Sequence, residues 1–184
     1  MEHSNDPYNR FLCGDEAALA ELIETYKDGL ILYLNSFVSD LATAEDLAED
    51  TFLKLVLKRP RFSARSSFKT WLYAIGRNLA IDHLRRWKNA PISHDDLPPI
   101  PAPDADLELR YIQQEKHRAV HAAMKTLKPE YRQVLWLIYF EGFTCAQTGK
   151  IIKKSTHNTE VLVSRGRQAL KNKLLKEGFD YEDI

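Results

Sequence analysis

A chain of 184 residues, 44% apolar and 28% charged, has room for one medium domain or two small ones of ordinary globular composition. The longest apolar run, residues 134–140, is far too short to span a bilayer, which excludes a membrane-spanning helix. The formal net charge of zero hides a segregation: residues 59–90 and 144–176 each carry +7, whereas residues 1–58 carry −8, 91–118 carry −3 and the tail 177–184 carries −4. Two basic blocks suggest two contacts with a polyanion, and the acidic stretches suggest a basic protein partner.

Glycine is scarce and long apolar alternation is absent, so helices are expected rather than sheets. The N-terminal MEHSNDPYNR has no apolar signal core, and the expectation is a cytoplasmic protein without membrane insertion of its own. Cys13 and Cys145 lie far apart with no metal-ligand spacing. Two buried or idle thiols are expected, with no metal, disulfide or cofactor.

In chain order, residues 17–37 predict a helix with Leu19, Leu22, Ile23, Tyr26, Leu30, Tyr33, Leu34 and Phe37 inward, although Gly29 interrupts it. A second helix is expected from Thr43, with Thr43 and Asp46 as a capping box and Pro60 as its end. Ala44, Leu47, Ala48, Phe52, Leu55 and Val56 form its apolar stripe. Glu45, Asp46, Glu49 and Asp50 make a compact acidic patch on it. Acids in a first helical turn offset the helix dipole, which would account for Glu45 and Asp46 and less well for Glu49 and Asp50.

Residues 62–88 combine a small, polar, basic loop with an amphipathic helix. Phe68, Leu72, Ile75 and Leu79 recur at steps of three and four, flanked by Trp71 and Leu84. The other face carries Lys69, Tyr73, Arg77, Asn78, Asp82, Arg85 and Arg86. Aromatics stack unpaired bases while cations hold phosphates, so this loop and helix could grip a single strand. An ordinary core helix with a solvated charged face has the same pattern.

Residues 89–106 hold five of the eight prolines and read as an extended acidic linker between a first domain, 8–88, and a second, 107–177. His94, Asp95 and Asp96 faintly resemble a metal phosphohydrolase pair, but a Pro-rich stretch cannot hold ligands rigidly. Catalytic carboxylate pairs, phosphate-cradling glycine loops and nucleophile elbows are absent, so no enzyme is expected.

Residues 107–127 predict a helix with Leu109, Ile112, Val120, Ala123, Met124 and Leu127 inward. Pro129 opens the next, which runs to Phe140 and ends at Gly142. Thr144 with Gln147 is a second capping box, opening a short helix to Ile152, and residues 156–176 form the last helix after a turn at Lys153, Lys154 and Ser155. Short helix, tight turn and long basic helix have helix-turn-helix proportions, with Glu160, Ser164, Arg167 and Lys171 outward.

Three stretches in this order resemble the small, extracytoplasmic-function type of bacterial sigma factor, over nearly the whole chain. AEDLAEDTFLKL (residues 44–55) is similar to the segment that docks on RNA polymerase, which implies that role for Glu45, Asp46, Glu49 and Asp50. FSARSSFKTWLYAIGRNLAIDHLRR (62–86) resembles the promoter-melting and minus-ten-reading segment. The likeness implies single-strand contacts for Phe62, Arg65, Ser66, Phe68, Lys69, Trp71, Tyr73, Arg77, Asn78, Asp82, Arg85 and Arg86. Residues 127–170 resemble the minus-thirty-five-reading domain, implying duplex contacts for Thr144, Lys154, Ser155, Thr156, His157, Asn158, Glu160, Ser164, Arg165, Arg167 and Lys171. The chain departs from the family at Ala64, at Gln147-Thr148-Gly149, at Lys153-Lys154 where a glycine is common, and at Glu160 where a basic residue is frequent.

The resemblance implies an all-α fold of two small helical domains. It implies core RNA polymerase, promoter DNA and an anti-sigma factor as partners, the last as the one route to the membrane. The alternative is a free-standing helix-turn-helix regulator, which would bind duplex DNA alone and need no polymerase.

Overall fold

The computed structural model describes residues 6–61, 67–89 and 115–176, and every regular element among them is a helix. These are α1 (Pro7–Leu12), α2 (Glu16–Val38), α3 (Leu41–Lys58), α4 (Phe68–Asn89), α5 (Glu115–Lys125), α6 (Pro129–Leu135), α7 (Cys145–Ile152) and α8 (Thr156–Lys176). A π-helical turn, Trp136–Phe140, continues α6. Outside the described residues lie most of the Pro-rich linker with His94, Asp95 and Asp96, the start of the helix expected over 107–127, and the acidic tail.

The N-terminal unit packs α2, α3 and α4 on one another, with α1 laid against α2. Its core holds Leu22, Leu30, Tyr33, Leu34, Leu47, Leu55 and Leu72, each burial of this kind contributing about 1.5–3 kcal/mol against chain entropy. The helix α1 is absent from the sequence reading because six residues show no period. Pro7 sits in its first turn, and Tyr8 and Phe11 are buried, with Tyr8 stacked on Phe68 at 4.7 Å. The Tyr8 hydroxyl donates to the Pro60 carbonyl, and burial pushes its phenol up to about 12.

The start of α3 corrects the expected capping box. The N-cap is Asp40, whose carboxylate accepts from the Thr43 amide at 2.9 Å and from the Thr43 hydroxyl. Thr43 is the third helical residue, because a carboxylate three positions earlier is the stronger acceptor for its amide. No acid then falls in the first turn of α3, so the dipole does not explain Glu45 and Asp46.

The C-terminal unit packs α8 across α5, α6 and α7. Thr144 and Gln147 form the expected capping box of α7. The helix expected to run evenly to Phe140 instead widens, with the Glu141 amide reaching the Trp136 carbonyl at 3.2 Å. This wider turn stacks Trp136 on Phe140 at 4.6 Å. The turn between α7 and α8 puts Lys153 in the left-handed region, φ 59°, where a glycine would be unstrained. Glycine stands instead at Gly149, where a Cβ would lie 2.8 Å from the Lys154 carbonyl oxygen. The two departures from the family pattern thus belong to one turn.

The two units touch. The face of α4 turned away from α3 meets α7 and the 141–143 loop, and α2 reaches α6.

Candidate polymerase and DNA interfaces

On α3, Asp46, Glu49 and Asp50 are exposed and Glu45 is half-buried. The same face continues, at steps of three and four, into Leu53 and Leu57, which are 55% and 74% exposed. Two large leucines thus stand open to solvent beside the acids on one helical stripe. Sequence reasoning missed both leucines. Their signal was helical position, since they fall with Asp46 and Asp50 and not with the buried Leu47 and Leu55.

On α4, the core stripe forms as expected, with Leu72 buried and Phe68, Ile75 and Leu79 half-buried. Trp71 is half-buried, and Asp82, Arg85 and Arg86 are exposed, Asp82 lying 3.9 Å from Arg85. The upper part of the expected DNA face is not open. Tyr73 is 1% exposed and Lys69, Arg77 and Asn78 are half-buried, with the C-terminal unit in contact with Lys69, Tyr73 and Arg77. The Tyr73 hydroxyl donates to the Glu141 carboxylate, and Lys69 Nζ donates to the Glu141 carbonyl at 2.6 Å. Arg77 Nε donates to Gln133 Oε1 at 3.1 Å. Burial, then the Glu141 carboxylate, drives the Tyr73 phenol far above its ordinary value. Burial holds the Arg77 guanidinium below its ordinary value. Phe62, Arg65 and Ser66 lie outside the described residues.

In the helix-turn-helix, all eleven residues expected to meet duplex DNA are exposed. Two also serve as caps. Thr144 Oγ1 accepts from the Gln147 amide at 3.2 Å, and Ser155 Oγ accepts from the Asn158 amide at 3.2 Å, opening α8. Lys154, Thr156, His157 and Asn158 crowd the N-terminal end of α8, the end a recognition helix presents to base edges. Glu160, Ser164, Arg167 and Lys171 flank a groove of about 680 Å³ whose floor includes Met124, Phe140 and Leu174. Arg165 lies outside that lining. Among the described residues no group of His, Cys, Asp or Glu could hold a metal, and no helix is long and apolar enough to cross a membrane. Cys13 is exposed, not buried, and Cys145 is half-buried; both are free thiols.

An exposed acidic and leucine-bearing stripe, a basic aromatic helix and a helix-turn-helix are the architecture of a two-unit helical DNA-binding protein. The sigma-70 region 2 family matches residues 22–89, and the sigma-70 region 4 family matches residues 117–170. The ECF RNA polymerase sigma factor SigC of Mycobacterium tuberculosis is 30% identical over 157 residues, spanning 85% of this chain and 83% of the relative. SigW of Bacillus subtilis is 26% identical over 170 residues, spanning 88% and 91%. CnrH, solved with the cytosolic domain of CnrY, has the same fold at a TM-score of 0.67 and 21% identity, covering 93% of this chain and 96% of that one. So does RpoE of Bartonella quintana, solved with the anti-sigma factor NepR, at 0.64 and 23%, covering 84% and 95%. The chain belongs to the extracytoplasmic-function sigma factors of the sigma-70 family. It is therefore a non-enzymatic subunit of RNA polymerase that acts in transcription initiation.

Proposed function

We propose that the work divides along the chain in three parts. Asp46, Glu49 and Asp50, with Glu45 at their edge and Leu53 and Leu57 beyond them, dock on core RNA polymerase. The 62–67 loop and α4 read and hold the melted minus-ten strand. The α7–α8 helix-turn-helix docks on the minus-thirty-five duplex, and the domains bounded by 8–88 and 107–177 are joined by the 89–106 linker. The observation that carries the first part is the acid stripe continuing into two largely exposed leucines, a charged rim beside an apolar anchor.

The chain works in the cytoplasm, and an anti-sigma factor withholds it from polymerase. Supporting this, RpoE, which shares the fold, was solved bound to the anti-sigma factor NepR. Run-off transcription with sigma-free core polymerase tests the whole reading, since a free-standing regulator would yield no promoter-specific transcript. Reversing Asp46 and Glu49 to Lys is expected to abolish co-purification with core enzyme while circular dichroism stays unchanged. Undiminished co-purification would refute the docking assignment.

A further inference from the structure

The chain leaves α3 and enters α4 at two points held by the same short helix, α1. On the leaving side, α3 ends at Arg59, whose backbone is left-handed at φ 38° and whose amide reaches the Leu55 carbonyl at 2.9 Å. The Arg59 guanidinium lies over the Phe11 ring, 4.9 Å from its centroid. The next carbonyl, that of Pro60, accepts from the Tyr8 hydroxyl. On the entering side, Ser67 Oγ accepts from the Thr70 amide at 3.3 Å and pairs with the Thr70 hydroxyl at 2.8 Å. Phe68 follows at once, with the Tyr8 ring stacked on it at 4.7 Å and the Tyr26 ring tilted against it at 5.3 Å.

Tyr8 thus touches both sides, one with its hydroxyl and one with its ring. Burial alone does not account for a tyrosine there. Tyr8 and Phe11 are each 3% exposed, and a second phenylalanine would fill the same space. A hydroxyl taken out of water costs free energy unless it finds an acceptor, and here the acceptor is a carbonyl 52 residues away. Pro60 has no amide of its own, so its carbonyl is the one backbone group through which it can be tied down. With its phenol pushed up to about 12 by burial, Tyr8 stays a donor at neutral pH. The whole of α1 lies outside residues 22–89, which the region 2 family matches, so the family likeness gives it no part.

We propose that Tyr8 is a positioning residue for base selection: α1 clasps both ends of the 62–67 loop and so sets the frame from which the loop and the start of α4 meet the unpaired strand. The proposal rests on the assignment of that loop and helix to the minus-ten strand. A segment whose ends are fixed in advance gives up less freedom when it settles on a matching base. Arg85 and Arg86, both exposed near the far end of α4, hold the phosphates of any sequence and owe nothing to that frame. Loosening Tyr8 therefore lowers discrimination between sequences more than it lowers total binding.

The test uses the full chain assembled with core RNA polymerase. Holoenzyme is offered single-stranded DNA with a randomised stretch, and the retained strands are sequenced. The readout is the ratio of retention between the preferred sequence and its single-base variants. Tyr8→Phe removes the hydroxyl and keeps the ring. It is expected to lower that ratio about fivefold, the effect of losing one hydrogen bond, while total retained DNA and co-purification with core enzyme stay unchanged. Tyr8→Ala removes both holds and is expected to lower the ratio further. Leu34→Val is the control, since Leu34 is buried in the same unit beside Gly76, two turns of α4 beyond Phe68. It is expected to lower the melting temperature, followed by circular dichroism, and to leave the ratio at its wild-type value. A wild-type ratio in Tyr8→Phe, or an equal fall in Leu34→Val, would overturn the positioning role alone. A wild-type pool with no preferred sequence would overturn the strand assignment and the role together, which tells the two failures apart.

Discussion

Asp40 illustrates how a single side chain sets an element's frame. It fixes the start of α3 three residues before the position a Thr43 cap would have chosen, and so moves the acids out of the first turn. Asp40→Ala is expected to lower stability by about 1 kcal/mol, read from chemical denaturation at neutral pH. The Thr43 hydroxyl, then its amide, holds the Asp40 carboxyl below the usual carboxylate range. A depressed folded-state value means the contribution is complete above the unfolded value, about 3.9, and is lost as pH falls through the folded value. The stability gap between wild type and Asp40→Ala should therefore narrow in acid below about pH 4. A gap that stays constant down to pH 2 would mean the cap acts through packing alone.

Two elements, α4 and α8, carry the proposed division between melted and duplex DNA. Asn78→Ala is expected to weaken selection of the melted strand while upstream duplex docking stays intact, and Arg167→Ala to do the reverse. Permanganate reactivity on normal and pre-opened promoters separates them. Full rescue of Asn78→Ala by a pre-opened template would mean that Asn78 serves opening and not reading. For Arg167→Ala, a uniform loss with a shallower salt slope identifies a phosphate contact, and a loss of about 1–3 kcal/mol at one position identifies a base. The helices themselves were legible because local period dictates them: α2, α7 and α8 fall within a residue or so of expectation, as does the Thr144–Gln147 box. What periodicity could not give was partnership between faces. The sequence shows Tyr73 among cations and so suggests solvent. Its burial depends on Glu141, 68 residues away, whose role no local pattern announces. The π-helical turn was invisible for the same reason, since an apolar run from Val134 to Phe140 fits either winding.

At the scale of the whole molecule, the proposed division asks for two DNA contacts at once, from two units that touch in this structure. The chain between Asn89 and Glu115 can reach at most about 85–95 Å when extended, ample for domains that part on a promoter. Its length sets the effective concentration of the second contact once the first is made. Deleting residues 98–103 is expected to reduce transcription from a normally spaced promoter severalfold while the thermal unfolding of both units is unchanged. Full transcription by the deletion variant would show that the tether has length to spare.

Gly29 sets helix propensity and the packing between the two units against each other. By helix propensity alone, alanine at that position would make the chain more heat-resistant by about 1 kcal/mol. The same methyl group would prise apart Tyr73 and Glu141. The gain in helix propensity and the loss of that buried contact therefore oppose each other at a single carbon atom, and a melting temperature reads only their difference. The mid-helix glycine that looked like a flaw in α2 is where the helix gives up propensity so that two distant stretches of chain can meet.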